Sequence, residues 1–175
     1  MSIIAPTIFN KTELKLPIDN IDDIQDYIDE HEPIILKKVL GYALYKEFIA
    51  ALAGAPAQKW LDLRDGDEYT DTSDDLQDYE GIQQIIADYV FFEIVSNIQS
   101  YTTDSGVFGG ATENSERSNP RYKQVFAYND MVDRLFYMNG FINAANDATT
   151  DTYENFDDSN TTKLITETKT NVLNI

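Results

Sequence analysis

The feature that most constrains this chain is a segment from Gly81 or Ile82 to about Tyr101 that is apolar on most sides of a helix. A helix of this kind must be covered by neighbours around its circumference, so we predict that it is the central helix of a bundle. Asp88 and Glu93 interrupt its most apolar part, so no transmembrane helix is expected. The apolar positions are Ile82, Ile85, Ile86, Tyr89, Val90, Phe91, Phe92, Ile94, Val95 and Ile98.

A second long helix is predicted to start at Pro120, because Asn119 is a good N-cap and proline is favoured in the first helical position. Its apolar residues recur at spacings of three and four, which predicts that it packs antiparallel along the central helix. They are Val125, Tyr128, Val132, Leu135 and Ile142, with the polar residue Asn139 at the position between the last two. The intervening residues, 102–118, contain three glycines and are predicted to form a loop.

Shorter helices are predicted towards the N-terminus. One starts near Asp19 or Asn20 and either ends or kinks near His31, because Pro33 disfavours helical geometry at the residue before it. Pro33 then starts a helix that stops at Gly41, where glycine adopts a left-handed cap without a steric penalty. Beyond this break, apolar residues return at helical spacing, at Leu44, Tyr45, Phe48, Ile49 and Leu52.

The remaining segments complete the predicted architecture. Asp65-Gly66-Asp67 suggests a hairpin turn, and residues 71–80 are predicted to be an acidic loop. The fold class is therefore mainly α, a helical bundle with two long antiparallel helices, short N-terminal helices, a small β-hairpin and an extended C-terminal arm. We place the helical domain at residues 1–145 and the Thr-, Asn- and Asp-rich arm at residues 146–175.

The net charge of the chain limits the classes of molecule that it can bind. Thirty-one acidic residues against 13 lysines and arginines give a net charge of −18, which repels nucleic-acid phosphates and anionic membranes. The acids concentrate in residues 19–32 and 62–80. They are interpreted first as solvated faces, and alternatively as a surface that faces DNA without binding it or that mimics DNA.

Residues typical of catalysis are scarce. There is no cysteine, and the single histidine, His31, is expected at an exposed helix position without a second metal ligand. The stretch Asp71-Thr72-Ser73-Asp74-Asp75 could hold calcium, but it lacks the glycine and the final glutamate of an EF-hand loop. We therefore expect no enzyme, no cofactor and no metal.

Leu40-Gly41-Tyr42-Ala43-Leu44-Tyr45 resembles the Leu-Gly-x-x-Leu-Tyr segment of head-to-tail connector proteins, also called adaptor or head-completion proteins, of tailed bacteriophages. The aromatic-rich helix around Tyr89 and the loop that begins at Thr102 are also similar, and the likeness covers about residues 12–145. The acidity and the Thr/Asn-rich tail further resemble ring proteins of crAss-like phages. The acidic insertion at 71–80 and the long tail depart from the compact connectors.

This resemblance implies a non-enzymatic virion protein, assembled in the host cytoplasm, that forms a homo-oligomeric ring at the portal–tail junction. The ring is usually dodecameric, binds the portal protein and another connector or tail ring protein, and lets genomic double-stranded DNA pass without specific binding. No membrane is involved. The main alternative is an acidic DNA-mimic inhibitor, and a third possibility is a small enzyme with a carboxylate-bound metal.

Two groups of residues are candidates for such contacts. The acids of residues 67–78 are expected to line a lumen or an exposed surface, whereas loop, basic and C-terminal apolar residues are expected to bind partners. The acidic group is Asp67, Glu68, Asp71, Asp74, Asp75 and Asp78. The partner-binding group is Val107, Phe108, Arg117, Arg121, Leu164, Ile165, Val172, Leu173 and Ile175.

Overall fold

The structure, a computed structural model, describes residues 2–10, 14, 21–99, 102–103, 106–107, 120–148 and 152–164. It is mainly helical with a small antiparallel hairpin, as predicted. In chain order the elements are a 3-10 turn (Pro6–Asn10), α1 (Ile21–Leu52), α2 (Gln58–Asp65), β1 (Asp67–Thr70), β2 (Leu76–Tyr79), α3 (Ile82–Gln99), β3 (Thr102–Thr103), β4 (Gly106–Val107) and α4 (Pro120–Ala148).

Helix α3 is the central helix, as its apolar circumference predicts. It packs against α1, α2 and α4, and residues 85–91 are all buried. An amphipathic helix needs only one covered face, whereas α3 has neighbours on several sides because its apolar residues point in every direction.

Helices α3 and α4 are antiparallel, which confirms the predicted pairing. Residues late in α3 meet residues early in α4: the rings of Phe92 and Tyr128 lie 5.0 Å apart between centroids. Residues earlier in α3 meet later ones, since Asp88 pairs with Arg134. Helix α4 begins at Pro120, the residue that the N-terminal signal indicates.

Helix α1 differs from the prediction at Pro33 and agrees with it at Gly41. The helix continues through Pro33, so the two predicted helices before Gly41 are one. Ile28 and Ile35 are buried on either side of the proline, and this packing outweighs its local preference. Gly41 has φ 73° and ψ 163°, which interrupts the helix with a positive φ but differs in ψ from the expected left-handed cap.

The small hairpin exists, but its turn is not at Asp65-Gly66. Strands β1 and β2 pair antiparallel from Asp67 with Tyr79 to Thr70 with Leu76, so residues 71–75 form the turn. Gly66 instead caps α2, donating its N–H to the Asp62 carbonyl at 2.9 Å. The predicted acidic loop therefore contains β2, and the predicted loop after α3 begins with the short pair β3–β4.

Two glycines allow the hairpin to join the helices. Gly66 (φ 99°) and Gly81 (φ 90°) lie where the backbone leaving α2 crosses the backbone entering α3. A Cβ on Gly66 would lie 2.2 Å from the Tyr79 carbonyl oxygen, and one on Gly81 would lie 2.5 Å from that of Arg64. No side chain fits between the two crossing chains, so both positions require glycine.

Residues 152–164, here called the C-terminal segment, pack on the helical body. The Tyr153 side chain is buried, and its hydroxyl donates to the Lys59 carbonyl at 2.6 Å. Residues 158–164 are helical. Within this segment the chain is therefore not extended, because Tyr153 and the fully buried Thr161 are held by α2 and α4. Residues 165–175 lie outside the described part.

Candidate functional site

A cleft of about 440 Å³ opens between the hairpin and α4. Residues 77–81, at the end of β2 and immediately before α3, form one wall, and four residues of α4 between 130 and 137 form the other. The lining carries four carboxylates, from Asp78, Glu80, Asp130 and Asp133, and one cation, Arg134. We call this site the acidic cleft.

Arg134 ties the two walls of the acidic cleft together. Its Nε donates to Glu80 Oε2 at 2.6 Å, and its Nη1 donates to Asp88 Oδ2 at 2.6 Å. Asp130, one turn earlier on α4, lies 3.9 Å from the same Nη1. The guanidinium thus links α4, α3 and the end of the hairpin, a geometry that its fixed fork of donors favours.

Asp88 of α3 is not part of the lining of the acidic cleft but pairs with Arg134, and only 2% of its surface is exposed. Burial raises the pKa of Asp88 to about 7, although the charge and the hydrogen bond of Arg134 act in the opposite direction. The carboxyl therefore exchanges its proton near neutral pH. The sequence signal for this group is an acid in a helix that is apolar on every side, and such an acid needs a buried partner.

Tyrosines of the hairpin hold it in place. The Tyr79 hydroxyl donates to the Leu63 carbonyl at 2.9 Å, and its ring stacks on Phe141 with centroids 4.8 Å apart. Tyr69 packs so closely on Gly140 of α4 that a Cβ there would lie 2.3 Å from the Tyr69 hydroxyl oxygen. These contacts set the position of β2 relative to α4, and hence the width of the acidic cleft.

Large apolar side chains are exposed on the same elements. On α4, Phe136 is 68% exposed and Tyr137, which lines the acidic cleft, is 40% exposed. The two rings pack edge to face with centroids 5.8 Å apart. Leu76, at the start of β2, is 67% exposed. Aromatic residues are enriched at protein interfaces relative to the rest of the surface.

A second exposed surface lies on α1. Lys37 Nζ is 5.3 Å from the Tyr45 ring centroid, and Lys46 Nζ is 5.8 Å from the Tyr42 ring centroid. Tyr42 and Tyr45 are three residues apart and so are neighbours on the helix. We call these four residues the lysine–tyrosine surface. Tyr42 is 66% exposed, and both lysines are exposed.

The six acidic residues predicted to line a lumen or surface have different environments in the structure. Five of the six, all but Asp71, are exposed, and of these only Asp78 lines the acidic cleft. Asp71 instead shapes the hairpin turn, because its Oδ1 accepts the N–H groups of Ser73 at 2.8 Å and Asp75 at 3.0 Å. The backbone hydrogen bonds of Asp75 and Ser73 hold the pKa of Asp71 below its ordinary value. Sequence reasoning missed Asp88, Asp130, Asp133 and Arg134.

Most of the predicted partner-binding residues lie outside the described part of the chain. These are Phe108, Arg117, Ile165, Val172, Leu173 and Ile175. For Val107 and Arg121 the backbone is described, in β4 and α4, but the side chains are not. Leu164 is half-buried and packs against the core, which leaves little of it for a partner.

The structure also bears on the predictions for His31, for a metal site and for a transmembrane helix. His31 is half-buried rather than exposed, because it stacks on Tyr27 and meets the edge of Tyr89. Among the described residues, no group of three or more histidine, aspartate or glutamate side chains is arranged to hold a metal ion. No helix within the described ranges has the length and apolar character needed to cross a membrane.

Fold and cleft together define a mainly helical domain with an acidic surface. The chain belongs to a protein family of unknown function, DUF6712, which matches residues 36–165. The match extends from α1 through the C-terminal segment and so includes residues 146–165. Neither a curated protein nor a solved structure matches the chain significantly.

Proposed function

We propose that this protein is a structural virion subunit that forms a ring at the head–tail junction of a tailed bacteriophage. The observation that carries the proposal is the exposure of large apolar side chains on separate elements of a helical domain. Tyr42 on α1, Leu76 on β2 and Phe136 on α4 are each about two-thirds exposed, at 66%, 67% and 68%. Tyrosine and phenylalanine are enriched where proteins contact each other.

The charge of the described surface supports passage of DNA through such a ring. Asp67, Glu68, Asp74, Asp75 and Asp78 are all exposed on or beside the hairpin. A wall lined with lysine and arginine would neutralise phosphates and retain the duplex, whereas a carboxylate wall repels it. Genomic double-stranded DNA then passes through the lumen without specific binding.

The subunit acts as an adaptor in this proposal. A ring, usually of twelve copies, binds the portal protein on one side and another connector or tail ring on the other. The C-terminal residues 165–175, with Val172, Leu173 and Ile175, supply an apolar contact to a partner ring. The rigid body formed by α1, α3 and α4 is the wedge that repeats around the axis.

Assembly of the wild-type protein tests the proposal. Mass photometry and negative-stain electron microscopy are carried out on the purified chain, alone and with the portal protein encoded in the same genome. We expect closed rings or a ring-shaped complex on the portal. A strict monomer that does not bind the portal contradicts the proposal.

A further inference from the structure

Ring formation by a chain this acidic raises the question of how two copies can approach each other. At a net charge of −18, most relative orientations bring carboxylates together, and like charges across an interface cost several kcal/mol. A contact between copies is therefore favoured where a basic surface faces an acidic one.

The lysine–tyrosine surface is basic although the chain is acidic. Residues 33–46 contain three lysines, at positions 37, 38 and 46, and no acidic residue. Within the described part of the chain, neither Lys37 nor Lys46 forms an ion pair, and each lies over a tyrosine ring instead. Their charges are therefore available to a partner.

The acidic cleft has the opposite charge. Its one cation, Arg134, is already engaged by Glu80 and Asp88 at 2.6 Å. Asp78 and Asp133 line the cleft without an ion-pair partner among the residues that the structure describes. The cleft thus presents carboxylates that no cation of its own neutralises.

Both surfaces also carry exposed apolar groups. Tyr42 and Ile34, at 66% and 39% exposure, accompany the lysines on α1. Phe136, Tyr137 and Leu76 accompany the carboxylates on α4 and β2. Contact between the two surfaces would remove apolar area from water on both sides while pairing opposite charges, the combination that gives both stability and orientation.

We propose that the lysine–tyrosine surface of one copy docks on the acidic cleft of the next copy. The inference rests on the proposed ring function and identifies the surfaces that build it. The two surfaces lie on different helices, α1 and α4, that both pack on α3. A contact between two different surfaces of identical subunits is heterologous, and such contacts generate a closed ring when the rotation between neighbouring copies closes.

A charge-exchange experiment tests this docking. One variant, K37E/K46E, makes the α1 surface acidic, and a second, D78K/D133K, makes the cleft basic. All four side chains are exposed, so both variants are expected to fold, which circular dichroism and the melting temperature verify. Each variant alone presents like charges at every contact, and its self-association is expected to weaken by about 100-fold or more.

An equimolar mixture of the two variants is the decisive sample. In a ring of alternating variants, every contact again joins a basic surface to an acidic one, so we expect rings to return. Matched controls carry charge reversals at exposed sites outside both surfaces, K123E on α4 and D23K/D26K on α1. The controls are expected to assemble like the wild type, in mass photometry and by electron microscopy.

Three outcomes overturn the inference. If the wild type forms rings and both variants also do, the interface is elsewhere while the ring function stands. If the variants fail and their mixture does not recover, charge pairing between these surfaces is wrong. If only truncation after Leu164 abolishes assembly, residues 165–175 form the contact instead. A wild type that stays monomeric with and without portal contradicts the ring function itself.

Discussion

Two buried carboxylates, Asp88 and Glu32, attach non-helical segments to the helical core by different means. Asp88, 2% exposed, pairs with the cation of Arg134, which also holds Glu80 beside the hairpin. Glu32, 5% exposed, accepts hydrogen bonds from neutral donors. These are the Ser2 hydroxyl at 2.9 Å and the backbone N–H groups of Ile3 and Ile4 at 2.9 and 3.1 Å.

The difference lies in how many elements each carboxylate connects. Arg134 joins α4 to α3 and to the end of the hairpin, so its loss affects the whole body of the molecule. Glu32 holds only residues 2–4, with a further hydrogen bond from Gln83 to the Ile3 carbonyl. Burial raises the pKa of Glu32, partly offset by its hydrogen bonds from Ile3, Ile4 and Ser2. We therefore expect global consequences at Asp88 and local ones at Glu32.

The largest effect is expected where the hairpin meets α3. The substitution G81A places a Cβ 2.5 Å from the Arg64 carbonyl oxygen at a φ of +90°. Because the neighbouring atoms are backbone and cannot move aside, we expect a loss of about 4 kcal/mol or more in the free energy of unfolding. Urea denaturation followed by circular dichroism measures it.

The matched control for G81A is G54A. A Cβ on Gly54 makes only an ordinary contact, at 3.9 Å from the Ala51 carbonyl oxygen. Its effect is expected to stay within about 1 kcal/mol. Equal stability of G81A and the wild type would mean that the close crossing of the two chains does not exist.

The next largest effect is expected for R134A. Removal of the guanidinium leaves Asp88 buried without its cation, which costs about 3 kcal/mol at pH 8. The loss should be smaller at pH 5, because Asp88 is then protonated and no longer a buried charge. The control is R64A, whose pair with Asp65 is largely exposed and is expected to contribute less than about 1 kcal/mol. If R134A loses no more stability than R64A, Arg134 does not link α4, α3 and the hairpin in the way described.

The pH dependence of the free energy of unfolding reports the pKa of Asp88 in the folded protein. The folded protein binds the Asp88 proton with a pKa of about 7, compared with an ordinary value of 3.8. The folded state therefore holds a proton that the unfolded chain has lost, so this group lowers stability as pH rises from about 4 to about 7.

The variant D88N should remove this part of the slope. Between pH 5 and pH 7 we expect the wild type to lose on the order of 2 kcal/mol more than D88N. Thermal unfolding in buffers of constant ionic strength provides the comparison. Parallel curves for the two proteins would show that Asp88 titrates at its ordinary pKa in the folded state.

The smallest effect is expected at Glu32. The isosteric change E32Q removes the charge from the acceptor of residues 2–4, and we expect a loss of about 1 kcal/mol. Hydrogen exchange measured by mass spectrometry should show faster exchange in residues 2–10 and unchanged protection in α3. Loss of protection in α3 would mean that Glu32 supports the whole core, as Asp88 is expected to do.

Local sequence signals determined most of the helical architecture. The start of α4 at Pro120 and the central position of α3 follow from caps and periodicity, which depend on residues a few positions apart. The interruption at Gly41 was also predictable, because its φ of 73° combined with a ψ of 163° lies in a region that is essentially restricted to glycine. These features need no information from distant parts of the chain.

The remaining features depend on contacts between residues that are far apart in the sequence, and only the tertiary structure decided them. Helix α1 continues through Pro33 because buried neighbours on both sides hold it, and the hairpin turn lies at residues 71–75 because Gly66 is needed at the crossing with Gly81. The candidate site itself depends on Arg134, which lies 46 residues beyond Asp88 in sequence. The sequence by itself determined the two long helices, α3 and α4, and the excess of negative charge. Only the fold decided which charges meet, because Coulomb interactions depend on distance in space rather than along the chain.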